Sequence, residues 1–147
     1  MTFRKIKPAT WAILLASLLA TTEVMADPAF RSGPGGLRIK DIKTGLGPEA
    51  EMGQVATMHF IGWLDEKGVR GREVFNSRVR GEPVRFVIGA QGVMEGWNDG
   101  VLGMQAGGQR MLLVPPGKAY GKRRIDDVIP ENASLMFRIE LIELETR

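Results

Sequence analysis

The stretch "GAQGVMEGWNDGVLGMQAGGQR", residues 89–110, decides the fold and poses a puzzle. Val93, Met94, Trp97, Val101 and Leu102 recur at spacings of three and four, which places them on one face of a helix. Yet Gly96, Gly100 and Gly103 interrupt the same segment, and each costs roughly 0.5–1 kcal/mol relative to alanine. A short helix that accepts such costs and still commits a tryptophan to its buried face must gain packing in return. Tertiary burial outweighs intrinsic propensity in most helices of folded proteins.

The segments around it read as strands. "LRIKDI" (residues 37–42) is short. "VATMHFIGWL" (residues 55–64) is apolar on both faces, which predicts a central strand. "VRFVI" (residues 84–88) alternates, and "RMLLVP" (residues 110–115) is a buried run. "LMFRIELIEL" (residues 135–144) sets Leu135, Phe137, Ile139 and Leu141 opposite Arg138 and Glu140. About five strands with a single helix indicate an α+β fold, an antiparallel sheet with the helix on one face. One helix covers a broad sheet only if the sheet curls around it, and glycines on the helix permit that close approach.

The remaining composition excludes most catalytic chemistry. There is no cysteine, so disulfides, thiolate nucleophiles and thiolate metal sites are absent from the outset. The formal charge is +3. Removing Arg4, Lys5, Lys7 and Glu23, which lie in a leader described below, leaves 17 bases and 16 acids. A near-neutral domain predicts neither nucleic acid nor a membrane surface as partner. His59 is the single histidine and lies mid-strand, where a structural role is the common one. Ser77 and Ser134 have no evident triad partner. The glycines of residues 89–96 do not follow a dinucleotide-binding spacing, and the "IDD" carboxylates (residues 125–127) lack metal-site spacing. No cofactor and no metal is expected. What remains is a set of bulky side chains beside turns: Phe60, Phe75, Val93, Met94, Trp97, Tyr120, Ile129 and Phe137.

Four segments together carry a resemblance. "FNSR…GEPVRFVIG", "GVMEGWNDGVLGM", "GMQAGGQRMLLVPPGKAYG" and "IPENASLMFRIELIEL" resemble the FKBP family of peptidyl-prolyl cis-trans isomerases, in the family's order, over residues 53–144. The resemblance implies a curled antiparallel sheet around one short helix, with a hydrophobic active-site pocket. Trp97 would be its floor. Phe60, Phe75, Val93, Met94, Ile129 and Phe137 would form the walls. The Tyr120 hydroxyl would point into the mouth, and the Met94 backbone N–H would bind a substrate carbonyl. Proline-containing polypeptides would be the substrates, and macrolides of the class that inhibits the family would be ligands.

Two positions depart from the family's pattern. Phe60 stands where the family usually has tyrosine, and Asn76 where it usually has aspartate. Asparagine both accepts and donates but carries no charge, so the pairing with Arg80 that the resemblance implies is in question. The segment "DEKGVRGREV" (residues 65–74) is longer than a minimal member requires and reads as an extended surface hairpin or bulge.

Residues 1–26 have three early bases, an uncharged run over residues 8–22 and "VMA" before Asp27, the layout of a secretory signal peptide. Residues 27–36, rich in proline and glycine, read as a flexible lead-in, and 37–147 as the isomerase domain. Export predicts a periplasmic protein with no membrane attachment after cleavage.

Isomerisation needs none of the missing groups. Rotation about the peptide bond has a barrier of about 18–20 kcal/mol. The planar amide is dipolar, and twisting weakens that dipole. An apolar pocket removes the solvation that favours the planar state and so stabilises the twisted one relative to it. Two readings stay open on sequence: a prolyl isomerase that assists folding of exported chains, or a non-catalytic chaperone or binding module using the same cavity.

Overall fold

The computed structural model describes residues 29–147; the leader assigned to residues 1–26 lies outside them. One antiparallel sheet of seven strands organises the chain: β1 (Arg31–Ser32), β2 (Arg38–Lys43), β3 (Val55–Glu66), β4 (Val69–Asn76), β5 (Val84–Val87), β6 (Gln109–Val114) and β7 (Leu135–Glu145). The spatial order is β1-β2-β6-β7-β3-β4, with β5 also paired to β3. Strand β3 is the hub. Its residues 55–64 pair with β7 on one side. On the other side its first residues pair with β5 and its last with β4. The doubly apolar pattern of residues 55–64 has this cause, since both faces of β3 are covered.

The sheet carries more strands than the five that the pattern of residues suggests. The added ones are β1 and β4. The segment read as a flexible lead-in contributes β1, because Arg31 and Ser32 pair with Ile39 and Arg38. The long segment after Leu64 is a hairpin, with Glu66 opposite Val69. Its turn places Lys67 and Gly68 at φ 57° and 83°, and the Asp65 carboxylate accepts from the Gly68 N–H at 2.7 Å. Two positive φ values are what a tight two-residue hairpin turn requires.

Among the described residues there are two α-helices, the single turn α1 (Ser77–Arg80) and α2 (Glu95–Val101), and two 3-10 turns, Pro34–Gly36 and Pro116–Lys118. Helix α2 lies on the concave face, where Met58, Phe60, Leu112, Val114, Leu135, Phe137, Ile139 and Leu141 form the core with Val101. A Cβ on Gly96 would sit 2.5 Å from a Val114 methyl, and one on Gly100 would sit 2.4 Å from a Leu112 methyl. Real side chains do not approach so closely, so these two glycines set the helix-to-sheet distance. The most deeply buried α2 residues are Gly96, Asn98, Gly100 and Val101. Val93 and Met94 precede the helix rather than extend its face, Met94 being its N-cap.

Candidate active site

Between α2 and the curled edge of the sheet lies a cavity of about 590 Å³. Its aromatic residues come from separate elements. Phe60 and Phe75 enter from β3 and β4, Trp97 from α2, and Tyr120 from the loop after β6. The Trp97 ring meets Phe60 edge-on at 4.7 Å between centroids and Phe137 at 5.6 Å; Phe86 lies 5.8 Å away. Phe75 and Phe137 each stand 6.3 Å from Phe60. These separations are those of packed aromatic pairs, so the site is built on a rigid cluster of rings. The Trp97 indole N–H is buried without a hydrogen-bond acceptor. Among the described residues the ring's contacts are the aromatic ones.

Charges stay at the rim, where Arg80, Glu82 and Arg85 line the cavity. Arg85 pairs with Glu145 at 2.7 Å. Burial holds the Tyr120 phenol above its ordinary pKa, with Arg123 opposing weakly. Tyr120 is thus a neutral hydroxyl at neutral pH, able to donate to a carbonyl beside the aromatic rings.

The sequence-predicted residues divide into three groups. Phe60, Phe75, Arg80, Trp97 and Tyr120 line the cavity. Phe137 and Ile129 lie in the buried core, 0% and 1% exposed, and support the site from behind instead of lining the cavity. Val93 and Met94 are half-buried beside the start of α2 and do not line it. The Met94 N–H has no acceptor among the described residues.

Asn76 is placed differently from the expectation of a pocket residue. Its Oδ1 accepts from the N–H groups of Arg78 and Val79, at 3.1 and 3.4 Å, and caps α1. Its Nδ2 donates to Glu73 at 3.2 Å. The side chain is spent on the turn that carries Arg80, not on the cavity.

Several supports had no signal in the sequence. The Ser77 hydroxyl, 2% exposed, accepts from the Phe60 N–H at 2.9 Å and lies 2.8 Å from His59 Nδ1. It fastens α1 to β3, lines the cavity and gives His59 a hydrogen-bond partner. Asn98 accepts from the Gly89 N–H at 2.8 Å and donates to the Ala90 carbonyl at 3.2 Å, joining α2 to the preceding loop. Arg110 is 3% exposed and donates to the Gly100 and Leu102 carbonyls, both at 2.9 Å, and to Asp41 at 2.7 Å. It satisfies carbonyls that the end of a helix leaves open. Among the described residues no group of three or more histidines or carboxylates is placed to hold a metal ion.

A curled sheet that holds one helix over an aromatic cavity defines a binding-pocket fold. Residues 47–142 match the family of FKBP-type peptidyl-prolyl cis-trans isomerases, and the chain belongs to that family. The FK506-binding protein of Neisseria meningitidis is 37% identical over 110 residues, 75% of this chain and 97% of that protein. FK506-binding protein 4 of Rhizopus delemar is 41% identical over 112 residues, 76% of this chain. The chain spans only 28% of that fungal relative's length, and 25% and 21% of two further insect and fungal relatives. The crystal structure of FkpA from Escherichia coli superposes with a TM-score of 0.71 at 30% identity, over 82% of this chain and 54% of that one.

Proposed function

We propose that the protein is a peptidyl-prolyl cis-trans isomerase that acts on X-Pro bonds of exported chains. The observation that carries this reading is the aromatic cavity closed at its base by Trp97, with Phe60, Phe75 and Tyr120 around it. A proline ring seated there leaves water, and its imide bond with it. The planar imide then loses the solvation that favours it, while the less dipolar twisted state loses little. The Tyr120 hydroxyl lines the cavity and supplies a donor that orients a flanking carbonyl. The spontaneous process takes tens to hundreds of seconds, slow enough to limit folding of a secreted chain.

The leader supports a periplasmic location, where the role is folding assistance. The mature chain then begins at Asp27. Intact-mass analysis of exported protein checks this, and a mass that retains residues 1–26 contradicts it. Family membership supports binding of FK506-class macrolides by the same cavity. Trp97 fluorescence tests that assignment. Saturating macrolide is expected to quench it and to suppress isomerisation together. If both signals stayed unchanged, the cavity would not be the site.

A further inference from the structure

The outward face of the sheet, away from α2, carries a second apolar cluster. The ladder places Arg38, Leu113, Met136 and Trp63 in one row across β2, β6, β7 and β3, and Lys40, Met111, Arg138 and Ile61 in the next. Trp63, Met111, Leu113 and Met136 are each at most 8% exposed, and Phe30 and Ile61 pack beside them. No helix residue belongs to this cluster. Long cationic side chains cover it instead. The Arg70 guanidinium lies 4.3 Å from the Trp63 ring centroid, and Arg38 lies 5.7 Å from that of Phe30.

Between the tip of the β3–β4 hairpin and β2 these residues bound a groove of about 450 Å³, with Met111 and Met136 among its lining residues and Arg70 and Arg138 on its walls. Asp41 also lines the groove, and Asp65 stands opposite Arg70 in the ladder, but the carboxylates here already have partners: Asp65 accepts from the Gly68 N–H. Asp41 pairs with Arg110 and Arg31, at 2.7 and 3.4 Å, and Glu140 pairs with Arg78. Arg138 donates only to the neutral Gln109 side chain, at 2.8 Å, and Arg70 rests on an aromatic ring. Two guanidinium groups with no carboxylate partner therefore flank an apolar, methionine-lined floor.

We propose that this groove is a docking site for an extended acidic segment of a partner polypeptide, distinct from the isomerase cavity. An apolar side chain of the segment rests on Met111 and Met136, whose unbranched chains adapt to varied shapes. Its carboxylates take up Arg70 and Arg138, for which paired hydrogen bonds to a carboxylate are the strongest available arrangement. None of these four residues lines the cavity, so one polypeptide can be held on one face while its proline visits the other.

Calorimetric titration with a proline-free peptide, Glu-Asp-Leu-Phe-Glu-Asp, tests the proposal on the mature protein. Saturable binding is expected, weakening as salt is raised from low to 0.3 M because the contacts are exposed ion pairs. R70Q/R138Q is expected to weaken it at least tenfold while leaving kcat/KM on a Leu-Pro peptide unchanged. F75A, which opens the cavity, is expected to leave peptide binding intact, so failure of the groove and failure of the isomerase reading give different results. The same peptide with lysine in place of each acid is expected not to bind, and this arm holds even if R70Q/R138Q does not fold. Absence of saturable binding, equal binding by wild type and R70Q/R138Q, or equal binding of the lysine peptide would overturn the proposal. So would adsorption to phosphatidylserine vesicles without binding of the acidic peptide.

Discussion

Asn76 shows how a single side chain beside the cavity can serve the local turn. An amide at this position accepts two backbone N–H groups as the cap of α1, a role asparagine and aspartate fill about equally well. Asn76→Ala is expected to cost about 1 kcal/mol of stability, read by urea unfolding. Asn76→Asp keeps the cap but replaces a donor to Glu73 with a second carboxylate. Activity at or above wild type is expected, with a stability loss of no more than about 1 kcal/mol at this partly exposed site. A large loss of activity in folded Asn76→Asp would show that the amide donor itself serves the reaction. Tyr120, the chain's one tyrosine, offers a direct titration. Its native pKa is raised by burial, so above about pH 10 the unfolded phenol ionises while the native one does not. The native state then binds more protons than the unfolded state, and stability falls as pH rises through that range. Urea unfolding at pH 8 and pH 10.5 is expected to show this fall in wild type and a smaller one in Tyr120→Phe. At residue scale the aromatic set was legible only through the motifs that carry the family resemblance, since bulky side chains taken singly read as ordinary core. Asn98, Arg110 and Ser77 were not, because a polar residue that satisfies distant backbone groups looks in sequence like any surface residue.

Among the elements, α2 poses the sharpest competition of effects. On an exposed helix Gly100→Ala stabilises by about 1 kcal/mol through propensity. Here the added methyl meets Leu112 at 2.4 Å, and overpacking a tight core costs about 1–3 kcal/mol. Net destabilisation is therefore expected, and a lower Tm in a thermal melt checks it. A raised Tm would mean that α2 does not sit as close to β6 as described. The glycine spacing on a helix with a tryptophan made this packing legible in advance. Strand β4 was not legible. In Val69–Asn76 charged and apolar residues follow no strict alternation, and none of the eight is fully buried. Pairing with the extended end of β3 holds it, and pairing partners are not written in a local pattern. The same holds for β1, two exposed residues that form a strand only because β2 lies beside them.

For the whole molecule, the proposed catalysis is a property of shape and dryness. The core that positions the site is one sheet wrapped on one helix, and the chemistry needs only that the aromatic cavity stay closed at its base. The curl of that sheet was legible, since a single helix had to cover it; the apolar cluster on its outer face was not, because Trp63, Met111 and Met136 read as ordinary strand interior until the register set them in rows with arginines. The central claim is tested most directly by a protease-coupled measurement of cis-to-trans conversion in a Leu-Pro tetrapeptide, with wild type and Phe75→Ala side by side and folding confirmed by circular dichroism. The account predicts that catalytic amounts of wild type accelerate conversion well beyond the spontaneous rate, and that folded Phe75→Ala loses about tenfold or more in kcat/KM, equivalent to about 1.4 kcal/mol of transition-state stabilisation. Binding of the peptide with no acceleration by wild type, or full activity in folded Phe75→Ala, would contradict it.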